Sequence, residues 1–198
     1  MIASSSVFDS VRRGYNELKS TSDSEIVNYF DHINPDSMIG HISNVKGMVF
    51  EQQITNILNE QGLDAEMYES TNHALSDIAL IDDDNEIIAE LQLKATDSVS
   101  YINETLAQHP DIPIITTSEV ASNIDNIMVI DSGIKNSALE QLVTEELLDQ
   151  TIQDILVDTG EELTANVVTD SLADVVTDIA LPISPLGLAA ALFGIPFL

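Results

Sequence analysis

Residues 76–96, SDIALIDDDNEIIAELQLKAT, predict two β-strands joined by an acidic turn. The first strand is the apolar run IALI, the turn is DDDN, and the second strand, IIAELQLKA, alternates apolar with polar residues. Because the side chains of a strand alternate between its two faces, Glu90, Gln92 and Lys94 are expected on one face. Asp77 stands at the start of the first strand. The sequence therefore predicts a carboxylate, an amide and an ammonium group in a row, beside a second carboxylate.

The segments on either side of this hairpin predict an α/β fold. Asn44 is the expected cap of a helix over residues 45–60, on which Lys46 and Glu51 are expected at the surface. The other predicted elements are a strand at 64–70, a helix from Asp97 or Ser98 to Gln108, a strand at 112–116, a helical turn at 118–123 and a strand at 127–130.

Four regions are predicted along the chain. An N-terminal helical segment spans residues 1–43; its second helix opens at the Ser22–Glu25 capping box and ends before Asn34-Pro35. The α/β core spans 44–133. Two acidic amphipathic helices follow over 134–180, the first opening at a capping box from Ser137 to Glu140, and an apolar tail occupies 181–198.

The chain is strongly acidic. It has 34 Asp and Glu against 6 Lys and Arg, a formal net charge of −28 at pH 7. Residues 1–96 carry 17 acids and five bases, and residues 97–198 carry 17 acids and one base, so the excess is spread over the chain. Three causes are open: a surface adapted to high salt, a basic partner or mimicry of nucleic acid, and a solvated acidic face with no specific role. Cysteine is absent, which excludes disulfides and thiolate metal sites.

The last 20 residues, 179–198, contain no charge. Their number lies within the range of about 17–25 that spans a bilayer, but Pro182, Pro185 and Pro196 interrupt the run. We expect residues 184–198 to be buried against the 137–180 helices, a second subunit or lipid, because left free they would expose a large apolar surface. Burial in the domain or in an oligomer is favoured over membrane contact through 179–198, and a truncated continuation is the third possibility.

The predicted order of elements over residues 45–116 is helix, strand, strand, strand, helix and strand. With an acid on the first helix, Asp77 at the second strand and Gln92-Leu93-Lys94 on the third, this order resembles the PD-(D/E)XK nuclease superfamily. The triplet is similar to the QxK variant of Mrr-type enzymes, whereas the usual Pro-Asp is Ser76-Asp77 here. The resemblance implies a restriction-endonuclease-like αβββαβ core, a mixed sheet flanked by helices, with an N-terminal helical hairpin and a C-terminal helical extension.

The resemblance also implies a metal-dependent nuclease that hydrolyses phosphodiesters as an endo- or exonuclease. Asp77 would be a ligand of Mg²⁺ or Mn²⁺, Gln92 the amide at the second motif position, and Lys94 the lysine that orients or activates water. Glu51 matches the acid of the first helix. Glu90, on the same strand face as Gln92, is a further candidate ligand.

The scarcity of bases argues against a long nucleic-acid groove, because non-specific DNA binding depends on Lys and Arg that neutralise phosphates. A nuclease with this surface needs salt adaptation or high Mg²⁺, a basic partner, or a short substrate. The alternative is a non-enzymatic structural or interaction protein that keeps an inactive nuclease-like fold in a viral, mobile-element or membrane-associated assembly, or an acidic mimic of nucleic acid. The expected partners are then a second copy of the chain or a basic protein. The N-terminus lacks the order of a signal peptide, so a cytoplasmic location is expected, with a membrane-peripheral or virion-associated one as the alternative.

Overall fold

The helices and strands follow the predicted order, with differences at their ends. The computed structural model describes residues 4–68 and 76–148. Its helices are α1 Ser4–Gly14, α2 Asp23–Asp31, α3 Pro35–Glu60, α4 Val99–Gln108, α5 Ser118–Ala121 and α6 Asn136–Leu147, with a 3-10 turn at Asn16–Leu18. Its strands are β1 Asp64–Met67, β2 Ile78–Ile81, β3 Ile87–Lys94, β4 Ile114–Thr116 and β5 Val129–Asp131.

The five strands form one mixed sheet in the order β1-β2-β3-β4-β5, so the chain is an α/β protein whose sheet is flanked by helices. The pairs β1–β2 and β2–β3 are antiparallel, and the pairs β3–β4 and β4–β5 are parallel. All three residues of β4 are buried. One apolar cluster beside it contains Ile102, Leu106, Ile114 and Val120.

The central hairpin forms as the sequence predicts. Asp82 Oδ1 accepts hydrogen bonds from the backbone N–H groups of Asp84 (3.0 Å) and Glu86 (2.9 Å), which closes the turn. Asn85 has a φ of 64°, a conformation that asparagine tolerates better than most residues. On β3 the predicted alternation is confirmed over residues 90–94: the leucines at 91 and 93 are buried, and the polar residues between and beside them are partly or fully exposed. It does not extend to the start of the strand, where Ile87 and Ile88 are both exposed.

The described chain divides into two units. One contains residues 4–49 and 137–148, and the other contains residues 50–68 and 76–136, which hold the whole sheet. In the first unit the predicted capping box is confirmed, since Ser22 Oγ accepts from Glu25 N (3.4 Å) while Glu25 Oε2 accepts from Ser22 N (2.8 Å).

Helix α3 begins ten residues before the predicted start, and the assignment of Asn44 as its cap is wrong. Pro35 is the first helical residue, a position where its missing N–H costs nothing. Asn34 Oδ1 accepts from Asp36 N (3.0 Å) at this end. The Asn34-Pro35 pair therefore starts the long helix, and the predicted boundary between residues 43 and 44 lies inside it.

Lys46 is buried, contrary to the surface position expected for it. Its Nζ lies 3.5 Å from Glu140 Oε2, and the two side chains are 10% and 26% exposed. Glu140 belongs to α6, which begins at Asn136, one residue before the predicted cap Ser137. A buried ion pair therefore joins α3 to α6 within the first unit.

The outer edge of β1 is covered by a side chain from α3. Asn59 Nδ2 donates to the carbonyl of Ala65 (3.0 Å), and Asn59 Oδ1 accepts from Ala65 N (2.8 Å). This pair of hydrogen bonds takes the place that a further strand would occupy.

Several predictions fall on residues that the structure does not describe. Of the predicted helical pair over 134–180 only α6 is described, and the tail at 181–198 with its membrane contact lies outside the described residues. Among the helices of residues 4–68 and 76–148, none combines the length and the apolar character needed to cross a bilayer.

Candidate functional site

Asp77 lies directly before β2 and continues its pairing with β3. Its backbone N–H donates to the carbonyl of Leu91 (2.9 Å), and its side-chain Oδ2 accepts from the N–H of Leu93 (2.7 Å). The carboxylate thus occupies the position of the next backbone acceptor in the ladder. The hydrogen bonds to the backbone of Leu91 and of Leu93 therefore hold this carboxylate at the end of β3.

Lys94, the last residue of β3, lies against the same carboxylate. Its Nζ is 3.6 Å from Asp77 Oδ2, and the two side chains are 19% and 20% exposed. Side chains that pointed to opposite sides of the sheet would have excluded a shared site. The ion pair instead brings the ammonium and the carboxylate together at the partly exposed end of the strand.

Gln92 lies between Glu90 and Lys94 on the alternating strand. Its backbone N–H donates to Pro113 (2.9 Å), which fixes β3 against the start of β4. The side-chain Oε1 is buried and has no hydrogen-bond partner among residues 4–68 and 76–148. A buried acceptor without a donor costs free energy, so this oxygen is suited to a ligand that the sheet does not supply.

Glu90 is held by two hydroxyl groups. Its Oε1 accepts from Tyr68 Oη (2.6 Å) and from Ser76 Oγ (2.7 Å). Burial raises the pKa of the Tyr68 phenol, and the neighbouring Glu90 carboxylate raises it further. Tyr68 is also anchored through its backbone N–H to the carbonyl of Asp77 (3.3 Å), so this group adjoins the start of β2.

Glu51 lies on α3 with its side chain partly buried, and its carbonyl accepts from Thr55 Oγ1 (2.8 Å). Within the described ranges no three His, Asp or Glu residues are arranged to hold one metal ion together. Glu51, Asp77 and Glu90 accordingly do not form a three-carboxylate centre. The residues that the structure brings together are Asp77 and Lys94, with Gln92 on the same strand face.

Two buried threonines hold the end of β3. Thr116 Oγ1 donates to the carbonyl of Lys94 (2.8 Å), and Thr117 Oγ1 donates to the carbonyl of Thr96. Both threonines are fully buried. No sequence pattern singled out this pair, although its place at the end of a β-branched strand is a signal, because the carboxyl ends of parallel strands are where α/β proteins place their ligands.

Tyr68 and Ser76 were also missed. Tyr68 belongs to no motif, and Ser76 was noted only as the residue in place of the usual proline before Asp77. The approach of both hydroxyls to Glu90 depends on the register between β1, β2 and β3.

The surroundings of the site are acidic. Between residues 50 and 136 the only Lys or Arg residues are Lys94 and Lys135. Since Lys94 is paired with Asp77, the exposed Lys135 is the one other fixed positive side chain in this unit.

Comparison with protein-family models, with curated proteins and with solved structures finds no match for this chain. The chemistry of the site is therefore inferred from its own side chains.

Proposed function

We propose that the chain is a metal-dependent nuclease of the PD-(D/E)XK type, with Asp77, Gln92 and Lys94 at its centre. The observation that carries the proposal is the Asp77–Lys94 ion pair, together with a buried Gln92 oxygen on the same strand face that has no partner among the described residues. The order α3, β1, β2, β3, α4, β4 and the mixed sheet agree with what the resemblance to the restriction-endonuclease-like core implies, and this agreement supports the proposal.

Each of the three side chains has a task in phosphodiester hydrolysis. The ammonium of Lys94 is placed to stabilise negative charge that develops on a phosphoryl oxygen. Asp77 holds that ammonium in position through Oδ2 and leaves Oδ1 without a hydrogen-bond donor from the described residues. Gln92 adds a neutral oxygen on the same face.

These oxygens fit a small hard cation such as Mg²⁺ or Mn²⁺. Mg²⁺ prefers oxygen ligands, keeps several waters, and is usually held by one or two carboxylates together with the phosphates of its substrate. Asp77 Oδ1 and the buried Gln92 Oε1 meet this requirement without a three-carboxylate cluster. A bound cation would polarise the phosphoryl oxygen and acidify water.

The charge of this unit limits the substrate. A long duplex would have to be held by Lys and Arg along a groove, and residues 50–136 have only two such side chains. The substrate that agrees best with this surface is a short oligonucleotide or a strand end, or a longer nucleic acid presented by a basic partner.

The test is cleavage of short, end-labelled DNA and RNA oligonucleotides by the full chain with Mg²⁺ or Mn²⁺. We expect Lys94→Ala and Asp77→Asn each to lower cleavage by about 10²–10³-fold, as loss of a charge-stabilising group usually does. Lys135→Ala removes the same charge from an exposed position and should leave the rate within a factor of about two.

Equal rates for Lys94→Ala and Lys135→Ala would refute the proposal, as would wild-type protein that cleaves none of the oligonucleotides. Gln92→Leu is a second probe, because it should weaken cation binding while preserving the volume of the side chain. Mn²⁺ density beside Asp77 Oδ1 and Gln92 in a crystal soaked with Mn²⁺ would support the ligand assignment.

A non-enzymatic interaction role is the second candidate, and one observation favours it. Lys94 is paired with Asp77, and Glu90 accepts from the hydroxyls of Tyr68 and Ser76, so both charged groups have partners without a bound ligand. With the acidic surface, such a face would suit a basic protein partner. Cleavage that Lys94→Ala abolishes would exclude this role as the whole function.

A further inference from the structure

Side-chain hydrogen bonds hold the end of β3 in addition to the backbone hydrogen bonds of the sheet. Lys94 is the last residue of the strand, and in the parallel register it lies opposite Thr116 of β4. The hydroxyl of Thr116 adds a hydrogen bond to the Lys94 carbonyl (2.8 Å) at the point where backbone pairing stops. The hydroxyl of Thr117 likewise donates to the carbonyl of Thr96, which lies two residues after Lys94.

The Thr117 side chain makes this contact in place of a helix-capping hydrogen bond. It is the N-cap residue of α5, a position where threonine usually accepts a hydrogen bond from the first turn of the helix. Its side chain makes no such cap bond and donates to the Thr96 carbonyl instead. Thr96 Oγ1 in turn accepts from the N–H of Ser98, the N-cap of α4 (3.1 Å).

The opposite side of the strand end is fixed as well. Asp77 Oδ2 accepts from the N–H of Leu93, so β3 is held on one side by the side chain that directly precedes β2 and on the other by the side chain at the end of β4. Thr116 and Thr117 are 0% exposed, so water does not compete for their hydrogen bonds. The backbone position from which the Lys94 side chain departs is therefore set by two buried hydroxyl groups.

We infer that Thr116 and Thr117 are positioning residues for Lys94, which set the place of its ammonium relative to Asp77 and to a bound phosphate. This inference rests on the proposed function for its catalytic consequence, but the position of the ammonium can be measured without cleavage. A small displacement of a catalytic group changes the rate of the chemical step more than substrate binding.

The experiment compares Thr116→Val, which keeps the shape and removes the hydroxyl, with Thr116→Ser, which keeps the hydroxyl. We expect Thr116→Val to lower kcat for oligonucleotide cleavage by about tenfold to a hundredfold with little change in KM, and Thr116→Ser to recover most of the rate. Thr117→Val should act in the same direction and replaces Thr116→Val if that variant does not fold. Thr105→Val is the matched control, because Thr105 is a buried threonine whose hydroxyl donates to a carbonyl of its own helix (Tyr101, 2.9 Å) and not to β3.

The second readout does not need activity. The four lysines of the chain can be labelled by reductive ¹³C-methylation, and Lys94 assigned through Lys94→Arg. In Thr116→Val the Lys94 resonance should move towards its position in Asp77→Asn, in which the ion pair is removed, whereas Thr105→Val should leave it unchanged.

A Lys94 resonance that stays in place in both Thr→Val variants would overturn the inference, whatever the cleavage rates. A resonance that moves in a chain that cleaves nothing would uphold the positioning of Lys94 and refute the nuclease proposal. Equal losses of kcat in Thr116→Val and Thr116→Ser would also overturn the inference, because the hydroxyl would then have no role.

Discussion

The Lys46–Glu140 ion pair allows a quantitative prediction for the stability of the first unit. Because the two charged groups differ in burial, removal of one should lower the free energy of unfolding more than removal of the other. Lys46 is 10% exposed and Glu140 is 26% exposed, with 3.5 Å between Nζ and Oε2. With an effective dielectric constant of about 20, two unit charges at 3.5 Å attract each other by about 5 kcal/mol. Desolvation of the two groups offsets most of this attraction, so the pair itself is close to neutral for stability.

Removal of one partner should therefore cost more than removal of both. Glu140→Gln leaves a buried ammonium without a counter-charge and should lower the free energy of unfolding by about 2–4 kcal/mol. Lys46→Met leaves the more exposed carboxylate, which water can reach, and should cost about 1–2 kcal/mol. The double variant should lie within about 1 kcal/mol of wild type, so that the coupling energy is about 2 kcal/mol or more.

Urea unfolding followed by circular dichroism measures these free energies. Glu145→Gln is the control on the same helix, because Glu145 is exposed and bonded only to Gln141 among the described residues (2.7 Å), and it should change stability by less than about 0.5 kcal/mol. A Glu140→Gln variant no less stable than Lys46→Met, or single changes that simply add, would refute this reasoning.

Three further outcomes follow from other contacts. Asn59→Ala removes both hydrogen bonds to Ala65 and should lower the free energy of unfolding in urea by about 1–2 kcal/mol. It should also expose the edge of β1 and so produce association that grows with concentration in analytical ultracentrifugation. A strictly monomeric variant would show that the amide does not protect the edge. Asn85→Gly should keep or raise stability and Asn85→Ala should lower it by about 1 kcal/mol, because φ is positive there; equal stability of the two would contradict this. The Ser22 backbone N–H, and then its hydroxyl, lower the pKa of Glu25, so the stability that Glu25 contributes is complete above its unfolded-state pKa and is lost as the pH falls through the lower folded-state pKa. Glu25→Gln should flatten this decline below about pH 4.5, and an acid transition identical to that of wild type would refute the linkage.

Local patterns predicted the hairpin and its site face well. The alternation from Ala89 to Lys94 fixes which side chains share a face, and the turn chemistry of Asp82 and Asn85 fixes where the chain reverses. Ser98 was expected as a helix cap and accepts from the N–H of Tyr101 (3.2 Å). Each of these features depends on residues fewer than about ten apart, which a sequence pattern can record.

Features that depend on distant residues could not be predicted. Lys46 is buried because Glu140, 94 residues away, supplies its counter-charge. The same limit applies to the hydroxyls that approach Glu90 and to the two threonines at the end of β3. The wrong start predicted for α3 has a local cause. Asn34-Pro35 indicates a break between helices, but proline is also favoured as the first residue of a helix, which is its position here.

The strand order has a consequence for how the chain folds as it is synthesised. Each strand from β2 to β5 pairs with the strand that directly precedes it in the chain, so each pairing joins residues that are close in sequence. A newly made strand can therefore pair as soon as it has been synthesised. The first unit differs, because α6 must be made before Lys46 meets its counter-charge. We therefore expect the sheet to acquire protection from hydrogen exchange while the N-terminal helices are still incomplete, so that the part of the chain that leaves the ribosome first completes its structure last.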